Sequence, residues 1–114
     1  MSQITTHVLD TAVGKPAEGI ALSLSHLAED GSWRLLGEGT TNSDGRVADL
    51  LADDVILDAG RYKVIFITED YFKQQKVDAF YPYAEIVFDI EGDNQHYHIP
   101  LLLSPFGYST YRGS

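Results

Sequence analysis

Two histidines, His96 and His98, stand two positions apart late in the sequence, and a third, His7, stands near its start. Imidazole exchanges a proton near neutral pH, so these side chains suit general acid and base catalysis. A His-x-His pair on a strand can also bind zinc, but no nearby carboxylate completes a ligand set. We therefore predict acid–base chemistry without a metal, and chance metal binding at His96 and His98 stays open. The fourth histidine, His26, is interpreted as an ordinary surface residue.

Two arginines are placed where they can receive a small anion. Arg46 follows the turn Asn42-Ser43-Asp44-Gly45, and Arg112 belongs to the last four residues of the sequence, Tyr111-Arg112-Gly113-Ser114. These four residues extend a predicted strand and end with a serine, so we expect contacts to hold them in place and expect them to enter a site. No Gly-x-Ser-x-Gly motif surrounds Ser114, and no Ser-His-Asp triad is visible, so a serine nucleophile is not supported.

The charge balance limits the partners of the chain. Its formal charge is −9, whereas nucleic acids and anionic membranes require a basic surface. We therefore predict no nucleic-acid partner and no membrane partner. There is no cysteine, no signal peptide is visible, and no apolar run approaches the ~20 residues that span a bilayer, so we expect a cytoplasmic protein.

The hydrophobic pattern predicts a mostly β chain. The last part reads as a strand from His96 to Leu103, a turn from Ser104 to Gly107, and a second strand running to Ser114. Side chains alternate across a strand, so His96 and His98 should share an outward face, opposite a core face. Pro100 within this strand is typical of an edge strand or a bulge. Earlier strands are predicted at Thr5 to Leu9, Ile20 to Leu27, Trp33 to Thr41, Arg61 to Thr68 and Ala84 to Glu91.

Only the segment from Glu69 to Lys76 is predicted to be helical, with Thr68 as its N-cap. One short helix among seven or eight strands indicates an all-β, two-sheet β-sandwich. The 114 residues contain no visible linker or repeat, so we expect a single domain over residues 1–114.

The sequence resembles the transthyretin-related 5-hydroxyisourate hydrolases. The terminal tetrapeptide Tyr-Arg-Gly-Ser separates these enzymes from the hormone carrier transthyretin. The resemblance implies a transthyretin-like sandwich of eight strands and one short helix, assembled as a homotetramer, a dimer of dimers with active grooves between the dimers. It is carried by residues 4–10 with 14–17, by 41–46, by 80–83 and by 96–114.

The resemblance also implies an activity. Water opens a ring C–N bond of 5-hydroxyisourate, the product of urate oxidation, to give 2-oxo-4-hydroxy-4-carboxy-5-ureidoimidazoline, and no cofactor is needed. It implies that the groove is lined by His7, Arg46, His98 and the terminal tetrapeptide.

Within that implied groove we assign roles as hypotheses. His7 and His98 share the base and acid roles, with the division between them left open. Arg46 holds the substrate and its developing negative charge, and Ser114 orients His98 or the water. Tyr111, Arg112 and Gly113 bind the substrate and shape the pocket.

Two other classes of function are compatible with a β-sandwich, because a fold does not settle a function. One is a carrier of a small aromatic ligand, like transthyretin, and the other is a structural or adhesion module. An apolar carrier channel does not need the histidines, Arg46 and the terminal tetrapeptide. A structural module would require neither an outward His-x-His nor a pinned chain end.

Overall fold

The computed structural model describes residues 2–114 and contains two four-stranded sheets and one short helix. One sheet has the strand order β2-β1-β7-β8 and the other the order β4-β3-β5-β6. The predicted two-sheet sandwich of seven to eight strands is confirmed. In chain order the elements are β1 (Ile4–Asp10), β2 (Lys15–Pro16), β3 (Ala21–Leu27), β4 (Trp33–Thr40), β5 (Gly60–Ile67), α1 (Glu69–Gln74), β6 (Ala84–Ile90), β7 (Tyr97–Ser104) and β8 (Gly107–Thr110).

The core lies between the two sheets and is built from alternating positions of their strands. Fully buried side chains include Val8 and Leu101 from the first sheet and Val64 and Phe66 from the second. In β1 burial alternates strictly, with the odd-numbered positions turned to the outer face of the sheet. The same alternation that fills the core therefore places Thr5 and His7 on the outside.

Strands β1 and β7 pair in parallel, whereas the other strand pairs within residues 2–114 are antiparallel. In this register Thr5 lies opposite His98, and His7 lies opposite Pro100. Parallel pairing joins segments that are distant in sequence, and here it brings the beginning of the chain beside the strand that carries His98.

Pro100 lies in an interior strand, because β7 is flanked by β1 and β8. The prediction of an edge position or bulge did not anticipate this. The Thr110 hydroxyl donates to the Pro100 carbonyl at 2.7 Å, so this backbone edge of Pro100 faces β8. The β8 ladder stops at the pair Leu101 and Thr110. The missing N–H of proline therefore lies just past the end of the ladder, where no partner strand requires it.

Two elements end earlier than the sequence predicts, and the predicted N-cap lacks a side-chain capping bond. The helix ends at Gln74, and Lys76 beyond it has a left-handed φ of 57°. Thr68 stands at the N-cap but makes no side-chain capping bond; its hydroxyl donates to the Tyr81 carbonyl at 3.4 Å. The last strand ends at Thr110, four residues short of the expected end. Over residues 2–114 no helix has the length and apolar character needed to cross a bilayer.

Candidate active site

Several of the predicted site residues lie together on the outer face of β1 and β7. Thr5 and His98 are direct neighbours across the parallel pair, with His7 two positions further along β1. Arg46 joins them through an isolated antiparallel bridge to His7, in which Val8 N–H donates to the Gly45 carbonyl at 2.9 Å. Three segments that are distant in sequence therefore meet at this face.

The turn before Arg46 explains its position. The Asn42 side-chain oxygen accepts from the N–H of Asp44 at 2.9 Å and from that of Arg46 at 3.1 Å, closing an Asx turn. Gly45 has a φ of +74°, a conformation that favours glycine, and a Cβ there would meet the Val8 carbonyl oxygen. The sequence Asn-Ser-Asp-Gly thus forms a tight turn that delivers Arg46 beside His7.

His98 is half-buried in this face, and its surroundings favour the neutral ring. Burial is the largest cause that lowers the pKa of His98 below its ordinary value, and the charges of Arg46, His96 and His7 lower it further. A hydrogen bond with the backbone of Thr5 acts in the opposite direction and is the smallest of these effects. A neutral imidazole at neutral pH can accept a proton, which suits a general base.

Thr5 connects two of the histidines. Its Oγ1 lies 2.8 Å from His98 Nδ1 and 2.9 Å from His96 Nε2. The two rings are nearly parallel, at an angle of 19°, with centroids 6.5 Å apart. His96 itself lies one residue before β7 and is exposed. Thr5 was absent from the predicted site residues, although it shares the outward face of His7 in the first strand, which was the available signal.

The terminal segment approaches His98 through its backbone. Gly113 forms an isolated bridge with His98, and its N–H donates to the His98 carbonyl at 2.9 Å. A Cβ at Gly113 would lie 2.5 Å from Cδ2 of the His98 ring. Only glycine therefore allows this close packing against the ring without displacing it. Ser114 follows directly and is exposed, with no side-chain hydrogen bond to any described residue.

Arg112 and Tyr111, unlike Gly113, lie against residues other than His98. The Arg112 guanidinium lies 4.7 Å from the centroid of the Tyr97 ring and donates to the Gln95 side-chain oxygen at 2.9 Å. Tyr97 points to the core face of the sheet, opposite to His98, so Arg112 is turned away from the histidine face. Tyr111 is exposed and, with Arg112, lines a cleft of about 240 Å³ beside β6. The structure thus brings together His7, Arg46, His98 and Gly113, and holds Arg112 on the other side.

The histidine face is open in the single chain. Three surface clefts of about 240, 360 and 340 Å³ are lined by other residues, with His96 alone of the three neighbouring histidines bordering one of them. Among residues 2–114 no three histidine, cysteine or carboxylate side chains are grouped to hold a metal ion. The arrangement is two imidazoles and a guanidinium on an open surface, which can exchange protons and stabilise an anion.

The chain is similar to known proteins over nearly its whole length. A 5-hydroxyisourate hydrolase from Mus musculus is 51% identical over 99% of this chain and 96% of its own length. The structure of the Klebsiella pneumoniae 5-hydroxyisourate hydrolase is 40% identical, covers 97% of this chain and 98% of that chain, and gives a TM-score of 0.84. Sea bream transthyretin in complex with thyroxine gives a TM-score of 0.92 at 34% identity, covering 98% and 95% of the two chains.

A family model described as HIUase/Transthyretin matches residues 4–113, a range that includes the strands, the turn and the terminal bridge of the candidate site. The chain therefore belongs to the HIUase/transthyretin family.

Proposed function

We propose that this chain is a 5-hydroxyisourate hydrolase and that its active groove is built on His7, Arg46, His98 and the backbone of Gly113. The activity is that of relatives that match nearly the whole chain. The observation that carries the assignment of the site is the pair of isolated bridges, which join His7 to Arg46 and His98 to Gly113 on one face.

The reaction requires a base, an anion-stabilising group and an acid. One histidine takes a proton from water while the water oxygen attacks the ring carbonyl carbon of 5-hydroxyisourate. The ring C–N bond then breaks, and the imidazolium returns its proton to the leaving nitrogen. The new carboxyl group ionises at neutral pH, so the product is 2-oxo-4-hydroxy-4-carboxy-5-ureidoimidazoline, on the route from urate to allantoin. No cofactor takes part in these steps.

The positions of the side chains suggest how the roles are divided. His98 is the stronger candidate for the base, because burial and the Arg46 charge favour its neutral form. Arg46 is exposed beside His7 and can hold the developing oxyanion. Ser114 lies next to the bridge to His98 and can orient the water. Arg112 contributes by anchoring the segment on Tyr97 and Gln95, so its role in substrate binding is indirect.

The open face calls for a covering subunit, and we propose the homotetramer that the resemblance implies. Strands β6 and β8 are edge strands of the two sheets, and their unpaired backbone groups can pair with a second copy. Exposed apolar side chains lie on or near these edges: Phe80, Val87, Phe106 and Tyr108. Two such dimers packed through the histidine faces would enclose the groove. Sedimentation at micromolar concentration is the measurement, and a monomer alone would contradict the shared groove.

A transthyretin-like carrier remains the second candidate, and the fold alone does not exclude it. The specific observation in its favour is the high structural similarity to a transthyretin solved with thyroxine. Against it stand the charged and titratable groups of the site, which an apolar ligand does not need. One domain over residues 1–114 and a cytoplasmic location stay predictions, which limited proteolysis and cell fractionation would test.

The experiment that tests the activity is the decay of freshly prepared 5-hydroxyisourate, followed in ultraviolet light. We expect the protein to accelerate the decay in proportion to its concentration, with a carboxylate product. The same protein should be assayed for binding of thyroxine by calorimetry. Thyroxine binding without any acceleration of the decay would favour the carrier.

Arg46 offers a prediction about both rate and pH. Arg46→Ala should lower kcat/KM by about 10²–10³-fold, because a donor to the oxyanion is lost. The Arg46 charge lowers the pKa of His98, so its removal raises that pKa, and the base becomes protonated at a higher pH. The acidic limb of the kcat/KM profile should therefore move to higher pH.

Arg46→Lys is the matched control, because it keeps the charge but loses the planar guanidinium. It should lower the rate while leaving the acidic limb in place. A limb that does not move in Arg46→Ala would show that Arg46 and the base do not interact.

Gly113 offers a prediction with a control in the same region. Gly113→Ala should displace the His98 ring and lower kcat by up to about 10²-fold, the effect of a misplacement near 1 Å. Gly107→Ala meets nothing closer than the Ser104 hydroxyl at 3.8 Å and should retain activity. Turnover and thermal midpoints of the two variants are the measurements. Equal activity of the two would mean that the contact with His98 is not needed for catalysis.

A further inference from the structure

The Thr5 hydroxyl occupies an unusual position between two imidazole rings. Its oxygen is within hydrogen-bond distance of His96 Nε2 and of His98 Nδ1, and it has no third side-chain or backbone partner within residues 2–114. A hydroxyl has one proton to donate and lone pairs that accept. It can therefore donate to one histidine only, and the other histidine keeps its hydrogen bond to the oxygen only by donating its N–H.

This constraint links the tautomers of the two histidines. If Thr5 donates to His96, then His98 carries its proton on Nδ1, and His98 Nε2 has a free lone pair. If Thr5 donates to His98, then His98 carries its proton on Nε2, and His96 Nε2 is the donor. His98 Nε2 has no hydrogen bond to another described residue, so it is the nitrogen that can face a substrate.

We propose that Thr5 and His96 are positioning residues that decide which nitrogen of His98 carries the proton. With the hydroxyl turned to His96, His98 presents a bare Nε2 and acts as a base; with it turned to His98, the same ring presents Nε2–H, which can donate a hydrogen bond but cannot take a proton from water. This inference rests on the proposed role of His98 in hydrolysis. Neither Thr5 nor His96 needs to touch the substrate.

The protonation state of His96 should determine which tautomer His98 adopts. A protonated imidazole is a donor at both nitrogens, so a charged His96 must donate to the Thr5 oxygen. With no other acceptor for its proton among the described residues, the hydroxyl then donates to His98 Nδ1, and His98 loses the bare Nε2 that a base requires. His96 is exposed and borders a cleft of about 340 Å³ shared with Asp53 and Asn94, so it can exchange protons with solvent. The base form of His98 therefore requires a neutral His96.

The charges around His98 also affect its pKa. The groups that face it are Arg46 from the turn, His7 from β1 and His96 before β7, and all three lower its pKa when charged. The pKa of His98 is thus held below its ordinary value, while its tautomer depends on the protonation state of His96. The acidic limb of the kcat/KM profile should then report the protonation of His96 in addition to that of His98.

The direct test is the tautomer of His98, read from the ring ¹⁵N shifts of the full chain labelled at histidine. In the wild-type protein we expect the proton of neutral His98 to shift from Nδ1 to Nε2 over the pH range in which His96 becomes charged. In Thr5→Val the two titrations should be independent, and in Thr5→Ser, which keeps the hydroxyl, the coupling should persist.

Kinetics give the second readout. His96→Gln stays neutral and can accept through its amide oxygen, so its acidic limb should report the protonation of one group instead of two, with KM unchanged. Thr5→Val should lower kcat on the order of tenfold, a part of the 10²–10⁴ that acid–base catalysis supplies, and Thr5→Ser should restore it. His26→Gln, at a histidine stacked on Tyr62 away from the site, should keep the wild-type profile.

The outcomes separate this inference from the proposed function. If His98→Asn retains full activity, the proposed site is wrong. If His98→Asn is inactive while Thr5→Val and His96→Gln keep the wild-type profile and the tautomer of His98 does not follow His96, the site stands and the link through Thr5 is wrong. Should Thr5→Val fail to fold, the exposed His96→Gln variant and the wild-type ¹⁵N titration decide the question.

Discussion

Replacing His98 with asparagine is expected to lower kcat by about 10²–10⁴-fold, the usual contribution of a general acid or base. Asparagine retains a polar side chain on the outer face of β7 but cannot exchange a proton. His98 is only half-buried, and its backbone bond to Gly113 does not depend on the side chain. The thermal midpoint should therefore change little while turnover collapses. Initial rates of 5-hydroxyisourate decay and a calorimetric scan of the same sample are the measurements.

Two further histidine variants complete this experiment. His7→Asn should also reduce turnover strongly, because His7 lies beside Arg46 on the same face. His26→Asn should do little to turnover, since His26 stacks on Tyr62 at a centroid distance of 4.5 Å in the other sheet. If His26→Asn were the damaging change and His98→Asn were silent, the site would have to be placed elsewhere.

Deleting residues Tyr111 to Ser114 is expected to abolish hydrolysis in a protein that remains folded. The segment contributes one backbone bond to His98 and the contacts of Arg112 with Gln95 and Tyr97, all near the surface. Such contacts are worth about 1 kcal/mol each, so the loss of stability should be small. The deletion removes Gly113, which packs against His98, so no hydrolysis should remain.

Leu101→Ala is the matched control for the deletion. Leu101 is fully buried, and a truncation there costs about 2–5 kcal/mol while leaving every proposed site residue in the chain. We expect the deletion to be stable and inactive and Leu101→Ala to be less stable but active when folded. Sedimentation of both variants shows whether assembly is retained. A folded deletion variant with wild-type turnover would remove the tetrapeptide from the site.

The sequence was most informative where local patterns determine structure. Alternation in β7 correctly predicted an outward face for His98, because the positions on the opposite face, such as Ile99, Leu101 and Leu103, are apolar. The turn Asn42-Ser43-Asp44-Gly45 was predicted from turn chemistry, and the structure shows the Asx turn that these residues form. The resemblance to a known family supplied the sheet arrangement, which periodicity alone does not give.

What the sequence could not give depends on contacts between distant segments. The register that sets Thr5 opposite His98 joins residues 93 positions apart, and no local pattern encodes it. The direction of the Arg112 side chain is set by its contacts with Tyr97 and Gln95. The sequence alone therefore could not show that Arg112 points away from the histidine face. The short strand β2 was missed because its two residues are too few to show an alternation.

The parallel pairing of β1 with β7 also sets an order for biosynthesis. At roughly 5–20 residues per second, β1 leaves the ribosome on the order of 5–20 s before its partner strand is made. During that time β1 has only the two-residue strand β2 beside it in its own sheet, whereas β3, β4 and β5 can already pair with one another. The sheet that carries none of the proposed catalytic residues should therefore form first. The sheet that carries His7 and His98 should then form by packing against it.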